Sequence, residues 1–161
     1  MNRIELKIKI YPDSVLRKKC LLVEDVGENE LNLLKNMAET MYRNRGIGLA
    51  APQVGFNKQI IIADIGKGLI ELINPQIFSS KGKDKMEEGC LSLPGIGVEV
   101  KRPKEIIVSG LNKRGKTVEM KLKGLIARVI QHEIDHLKGT LIIDYANFIK
   151  RFSLVRRIKR G

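Results

Sequence analysis

The stretch QHEIDH, residues 131–136, holds both histidines of the chain, four positions apart. On a helix that spacing sets two imidazoles on one face, within reach of a single ion. Glu133 lies about 100° round the helix from His132, near enough to reach a metal-bound water without being a ligand. The plain alternative is a pair of helical histidines beside a solvated glutamate. The surrounding residues favour a metal: Leu125, Val129, His132 and His136 fall on one side of a helix over 125–138, with Ile126, Ile130, Ile134 and Leu137 around the rest. A helix apolar over so much of its circumference is buried, and buried imidazoles and carboxylates need partners.

Two histidines leave a catalytic site one protein ligand short. The metzincin pattern needs another histidine and a downstream Met-turn, and no histidine or methionine follows His136. The other large HExxH class takes a downstream glutamate, whereas the only carboxylate after His136 is Asp144. An upstream carboxylate or a cysteine remains, and thiolate suits zinc or ferrous iron. Of the two cysteines, Cys90 is better placed, in EEGCLSLPG (87–95) after a glycine and between turn residues; Cys20, before an apolar run, reads as a packed thiol. A nucleophilic Cys90 paired with a histidine is the rival, and it leaves the His pair and Glu133 without a role.

The elements that must position these residues follow from periodicity. Leu31, Leu34, Met37 and Met41 form a helical stripe over 30–45 that Gly46 terminates. Short strand-like runs cover 59–65, 69–77, 97–101, 105–111 and 117–123, the last alternating Val118, Met120 and Leu122 with charges. Residues 140–145 read as a further strand, and the tail from Phe148 as an amphipathic helix. Strands in succession without intervening helices favour antiparallel pairing, hence an α+β fold.

Two phosphate-binding patterns are matched by letter and rejected by context. GLNKRGKT (110–117) fits GxxxxGK[ST], yet the alternating strand follows where a helix must start, so a hairpin turn at 112–115 explains it. GIGLAA (46–51) fits GxGxxA, but a helix precedes it and Pro52 opposes the phosphate-binding helix. No nucleotide cofactor is implied.

At 161 residues the chain is expected to be a single catalytic domain, 1–161, with 148–161 as a basic tail. No apolar run approaches the roughly 20 residues of a membrane span. The N-terminal MNRIELKIKI lacks the apolar core of a secretory signal, and two cysteines are too few for a disulfide framework, so a cytoplasmic location is expected. Net charge is +12, and six of those charges lie in the tail at Lys150, Arg151, Arg156, Arg157, Lys159 and Arg160.

Three stretches together, GIGLAAPQVG (46–55), EGCLSLPG (88–95) and QHEIDHLKG (131–139), closely resemble the three motifs of the peptide deformylases, and YPDSVLR near the start extends the likeness. The resemblance implies removal of the formyl group from the N-terminal methionine of nascent proteins, and antiparallel β-sheets packed around a central metal-binding helix that carries HExxH. It implies Cys90, His132 and His136 as metal ligands, with Fe2+ the favoured ion and Zn2+ or another divalent metal the alternative. Glu133 becomes the general base and acid, and the Gln53 side chain with the Leu91 backbone N–H the oxyanion donors. Ile47, Gly48 and Gly89 are expected to bind the peptide like an added strand, with Ile47, Leu125 and Val129 around the methionine side chain. Arg102 is expected either to pair with a nearby acidic residue or to be solvated, and Asp135 either to orient a ligand or to serve as a solubilising charge.

A substrate emerging from the ribosome makes ribosomal RNA a natural partner for the tail, against packing of Phe148, Phe152 and Val155 on the domain with a solvated basic face; anionic membrane is a third reading. A monomer is expected. The competing classes are a metallopeptidase and a basic RNA-binding module with a structural metal. The first is disfavoured by the Cys90 motif. The second gives Glu133 no purpose, and four Phe and three Tyr form no stacking motif.

Overall fold

The computed structural model describes residues 4–160; residues 1–3 of the N-terminal stretch considered for export, and Gly161 at the end of the tail, lie outside the described residues. After a 3-10 turn, Ser14–Arg17, the first α-helix is α1, Glu28–Arg43, whose first turn carries Glu28 and Glu30 where the helix dipole favours negative charge. Leu33, Leu34, Met37 and Met41 are its buried face. Leu31, expected in that stripe, is 42% exposed, because the face turned to the core is centred one position further round, on Leu33 and Met37.

Strands β1 (Gly48–Ala50), β2 (Ile60–Ala63), β3 (Ile70–Lys81), β4 (Asp84–Cys90), β5 (Leu93–Arg102), β6 (Glu105–Leu111) and β7 (Thr117–Lys123) follow. Five make one antiparallel sheet in the order β1-β2-β3-β6-β7, while β4 and β5 pair as a separate ribbon. β2 reads IIIA because both its faces are covered. Ile60 and Ile62 pack with α1, and Ile61 and Ala63 pack with α2, Leu125–Leu137. Arg128 of α2 reaches the Val100 and Asp84 carbonyls of the ribbon at 2.9 and 2.8 Å. The metal-motif helix therefore lies between sheet and ribbon, as an α+β fold built round it requires. β1 and β4 were not anticipated: one is three residues of Gly, Leu and Ala, the other DKMEEGC, and neither has the β-branched alternation that marks a strand before its partner is known.

The segment expected as a strand over 140–145 is a 3-10 turn, Ile142–Tyr145. The Asp144 carboxylate accepts the Leu141 N–H at 2.9 Å and closes the chain locally. A short apolar run such as Leu141 to Ile143 does not itself distinguish strand from turn. Between β6 and β7 the chain makes the anticipated hairpin, with Gly115 N–H donating to Asn112 O at 2.9 Å. After β1 it forms a 3-10 turn, Ala51–Val54, in place of a phosphate-binding helix.

Helix α3, Phe148–Arg160, is capped by Asn147, whose side chain accepts the Lys150 N–H at 2.8 Å. Leu154, with Val155 and Ile158, is the face that packs on the ribbon side of the core. Phe148, Ile149 and Phe152, by contrast, are 84%, 81% and 59% exposed. The expectation that Phe148 and Phe152 pack back on the domain is thus corrected, because Leu154 and Val155 take that contact and leave Phe148, Ile149 and Phe152 facing outward.

Candidate metal centre

α2 places His132 and His136 one turn apart with their Nε2 atoms 3.2 Å from each other, and the end of β4 brings Cys90 Sγ to 3.4 Å from His136 Nε2. The ligand atoms of the three residues all lie within 4.8 Å of one another. Bonds of about 2.0–2.1 Å to nitrogen and about 2.3 Å to sulfur, at tetrahedral angles, separate two nitrogens by about 3.3 Å and nitrogen from sulfur by about 3.6 Å. The 3.2 Å between the two nitrogens and the 3.4 Å from Cys90 Sγ to His136 Nε2 match that geometry. The donor atoms are also in the right chemical form. His132 Nδ1 is 3.0 Å from Glu88 Oε1, an acceptor that fixes the proton on Nδ1 and leaves Nε2 as a lone pair. Burial pushes His136 well below its ordinary pKa, toward the neutral ring that ligates. His132 is opposed in charging by burial, but hydrogen bonds to Cys90 and Glu88 outweigh it and raise the ring to about 10. A cation at Nε2 takes the place of that extra proton.

Cys20 is elsewhere, buried beneath α2 in the core cluster, and burial pushes its thiol up to about 11. It is a packed thiol.

Next to the ligands lies a charged network in which sequence reasoning singled out Arg102 and Asp135 but missed Glu88 and Arg128. Glu88 accepts Arg102 Nε and Nη2 at 2.7 and 2.8 Å, and Arg128 Nη1 at 2.6 Å, as well as facing His132. Burial raises its pKa, yet the hydrogen bonds from Arg102, His132 and Arg128 win and hold it at about 2. Arg102 also donates to Asp135 at 2.9 Å, and Tyr145 Oη donates to the same Asp135 oxygen at 2.6 Å. Arg102 is therefore paired, and Asp135 orients that arginine. The signal was present in part: Arg128 is the one charge on α2 ahead of the HEIDH motif, one turn before His132, and Glu88 stands two residues before Cys90.

Glu133 is buried and is absent from the ligand cluster; its Oε2 has no hydrogen-bond partner, and burial raises its pKa to about 7. Its Oε1 lies against Gly48, where an added Cβ would come within 2.5 Å of that oxygen and 2.7 Å of Val129 Cγ1. β1 approaches α2 this closely only because Gly48 has no side chain. Gln53 reaches over from the 3-10 turn. Its Oε1 accepts the Ala50 N–H at 2.9 Å, which orients the amide nitrogen toward Cys90 Sγ at 3.5 Å and Ser92 Oγ at 3.2 Å. Leu91 stands between those two on the rim.

A cleft of about 820 Å3 opens beside these groups, and Ile47, Gly48, Gly89, Leu125, Val129, Gln53 and Leu91 all lie on its wall. β1 is the edge of the five-stranded sheet and β4 pairs only with β5, so two strand edges flank the cleft. An extended peptide fits between such edges by backbone pairing. Among the described residues no helix is long and apolar enough to cross a membrane.

A sequence model of the polypeptide deformylases matches residues 5–152. The peptide deformylase of Pelotomaculum thermopropionicum is 50% identical over 145 residues, covering 90% of this chain and 94% of its own. That of Thermodesulfovibrio yellowstonii is 47% identical over 159 residues and 96% of each chain. Among solved structures, a peptide deformylase from Legionella pneumophila superposes with a TM-score of 0.92 at 40% identity, covering 98% of this chain and 95% of that one. The Ehrlichia chaffeensis enzyme in complex with actinonin gives 0.93 at 37% identity over 96% of each.

Proposed function

This chain belongs to the polypeptide deformylase family, and from that premise we propose how its own residues carry out the family's reaction. The protein is a metal-dependent hydrolase that removes the formyl group from the N-terminal formyl-methionine of newly synthesised proteins. The observation that carries the assignment of residues is the Cys90, His132 and His136 cluster at tetrahedral spacing, with the unpartnered carboxylate of Glu133 beside it. Neither a metallopeptidase nor an RNA-binding module is favoured.

Cys90, His132 and His136 would hold the divalent ion, which supplies Lewis acidity and lowers the pKa of a bound water toward neutrality. Fe2+ is the proposed physiological ion, with Zn2+ the alternative for the same thiolate and imidazole set. Glu133, pushed by burial to about 7, is suited to take the proton of the attacking water. As the carbon–nitrogen bond breaks it returns that proton to the departing amine, and formate leaves. The Gln53 amide and the Leu91 N–H donate to the oxygen on which charge develops. Ile47, Gly48 and Gly89 bind the peptide backbone between the two strand edges, and the methionine side chain lies among Ile47, Leu125 and Val129. The test is formate release from a formyl-Met peptide by protein handled without oxygen, with metal content measured alongside.

Gly48 gives a sharp prediction. Gly48→Ala would drive a methyl into Glu133 and Val129, and displacing a catalytic group by about 1 Å typically costs about 100-fold. Formate release should fall by that order while metal content stays at the wild-type level. Unchanged kinetics would show that Glu133 need not be held where it is.

The protein is proposed to act as a monomeric single catalytic domain in the cytoplasm. The exposed Phe148, Ile149 and Phe152 beside Lys150, Arg151 and Arg156 support ribosome contact through α3. Co-sedimentation with ribosomes should weaken steeply with salt and be lost on deletion of residues 148–161. Salt-sensitive co-sedimentation that survives the deletion would remove the tail from that role.

A further inference from the structure

Arg45 stands at the mouth of the cleft in a backbone conformation that a glycine would adopt more cheaply. α1 ends with Gly46 N–H donating to Met41 O at 2.9 Å and Arg45 N–H donating to Tyr42 O at 3.0 Å. That pair of bonds requires a left-handed residue at position 45, a place usually taken by glycine. Here φ is +56° and the residue is arginine, although a glycine follows immediately at 46. Its neighbours have structural partners: Arg43 pairs with Glu5 at 2.7 Å, and Asn44 donates to Thr40 O at 2.8 Å. The Arg45 guanidinium is exposed and, among the described residues, has no hydrogen bond or ion pair. Glu87, on the same cleft, lies over Gly97, where an added Cβ would overlap its carboxylate, and makes no ion pair with Arg45. A strained conformation kept by an unpartnered charge on a binding cleft is a reason to look for its ligand there.

Position along the cleft says which part of a substrate passes Arg45. Gly48 touches Glu133 at the reacting end. Arg45 is three residues back along the wall, at most about 10 Å at roughly 3.3 Å per residue. A peptide extended from the reacting end toward the mouth covers that distance in about three residues. Resting on the deformylase reading, we propose that Arg45 is a specificity-determining residue that binds a carboxylate carried by the second or third residue of the formylated chain, so that acidic nascent N-termini are preferred substrates.

The test uses the full chain loaded with metal and amidated formyl-Met tetrapeptides with Glu, Gln or Lys at the second or third position. Wild type should show KM rising from Glu to Gln to Lys by about two- to fivefold overall, the range of an exposed ion pair. kcat should be unchanged, since the contact is made equally in ground and transition state, and high salt should flatten the series. Arg45→Gln should abolish the preference and Arg45→Glu reverse it. Lys113→Gln in the β6–β7 turn removes the same charge and should leave the preference intact. Arg45→Gly should also lose the preference while raising Tm by about 2–4 °C, the shift of a relieved backbone in a chain of this size. The proposal is overturned if the Arg45 variants keep the wild-type order, if Lys113→Gln loses it too, or if Arg45→Gly lowers Tm. It is equally overturned if only peptides with a free C-terminal carboxylate gain affinity, since a nascent chain has none near its start. Absence of formate release from the Gln peptide by wild type would instead overturn the deformylase reading itself.

Discussion

Glu133→Ala is expected to keep its metal and lose turnover, with kcat lower by about 100-fold to 10,000-fold, the range attributable to a positioned proton-transfer group. The carboxylate is not among the ligand atoms, so its removal leaves the Cys90, His132 and His136 set intact. Its Oε2 has no partner to orphan, and burial already disfavours its charge, so the fold should tolerate the change. Steady-state formate release, beside metal content of the same preparation, separates the two effects. A variant that loses metal in proportion to activity would make Glu133 a structural residue.

Glu88→Gln is expected to act on both stability and metal. The carboxylate neutralises two buried arginines and faces His132 Nδ1. Breaking such buried pairs by removing one partner costs about 3–5 kcal/mol, read as a loss of unfolding free energy in urea. Removing the acceptor that orients a metal-binding imidazole typically weakens metal affinity by about 10-fold to 100-fold. The pH dependence has a definite sign. The native pKa of Glu88, about 2, lies below its ordinary 4.5, so its contribution is fully present above about pH 4.5 and is lost as pH falls through 2. Metal-free wild type should lose stability across that window by more than Glu88→Gln does. Parallel pH profiles and unchanged metal affinity would mean that the network is dispensable.

Some of this was legible in the residues alone. β6 and β7 have the expected bounds because their two faces meet different surroundings, so alternation survives in the sequence. α2 was legible because a helix enclosed by sheet and ribbon must be apolar nearly all round. The histidine pair followed from helical spacing, and Cys90 from the scarcity of other ligands together with the motif resemblance. The Glu88, Arg102 and Arg128 network was not legible, because its members sit on β4, β5 and α2 and become neighbours only when the ribbon closes on the helix. β4 itself is polar, and its pairing with β5 makes it a strand. Leu141 to Ile143 carried no period that separates strand from turn, and the capping carboxylate of Asp144 decided the matter locally. Arg45 looked like one basic residue among thirty until its backbone conformation and its place on the cleft were seen.

The central claim, that Cys90, His132 and His136 hold the ion on which deformylation depends, is tested most directly by titrating chelator-stripped protein with Fe2+ under anaerobic conditions and following formate release from a formyl-Met peptide. Activity should be negligible in stripped wild type, rise in proportion to added metal and level off at one ion per chain, while Cys90→Ala shows no such rise. Full formate release by stripped protein, or a normal titration by Cys90→Ala, would contradict it.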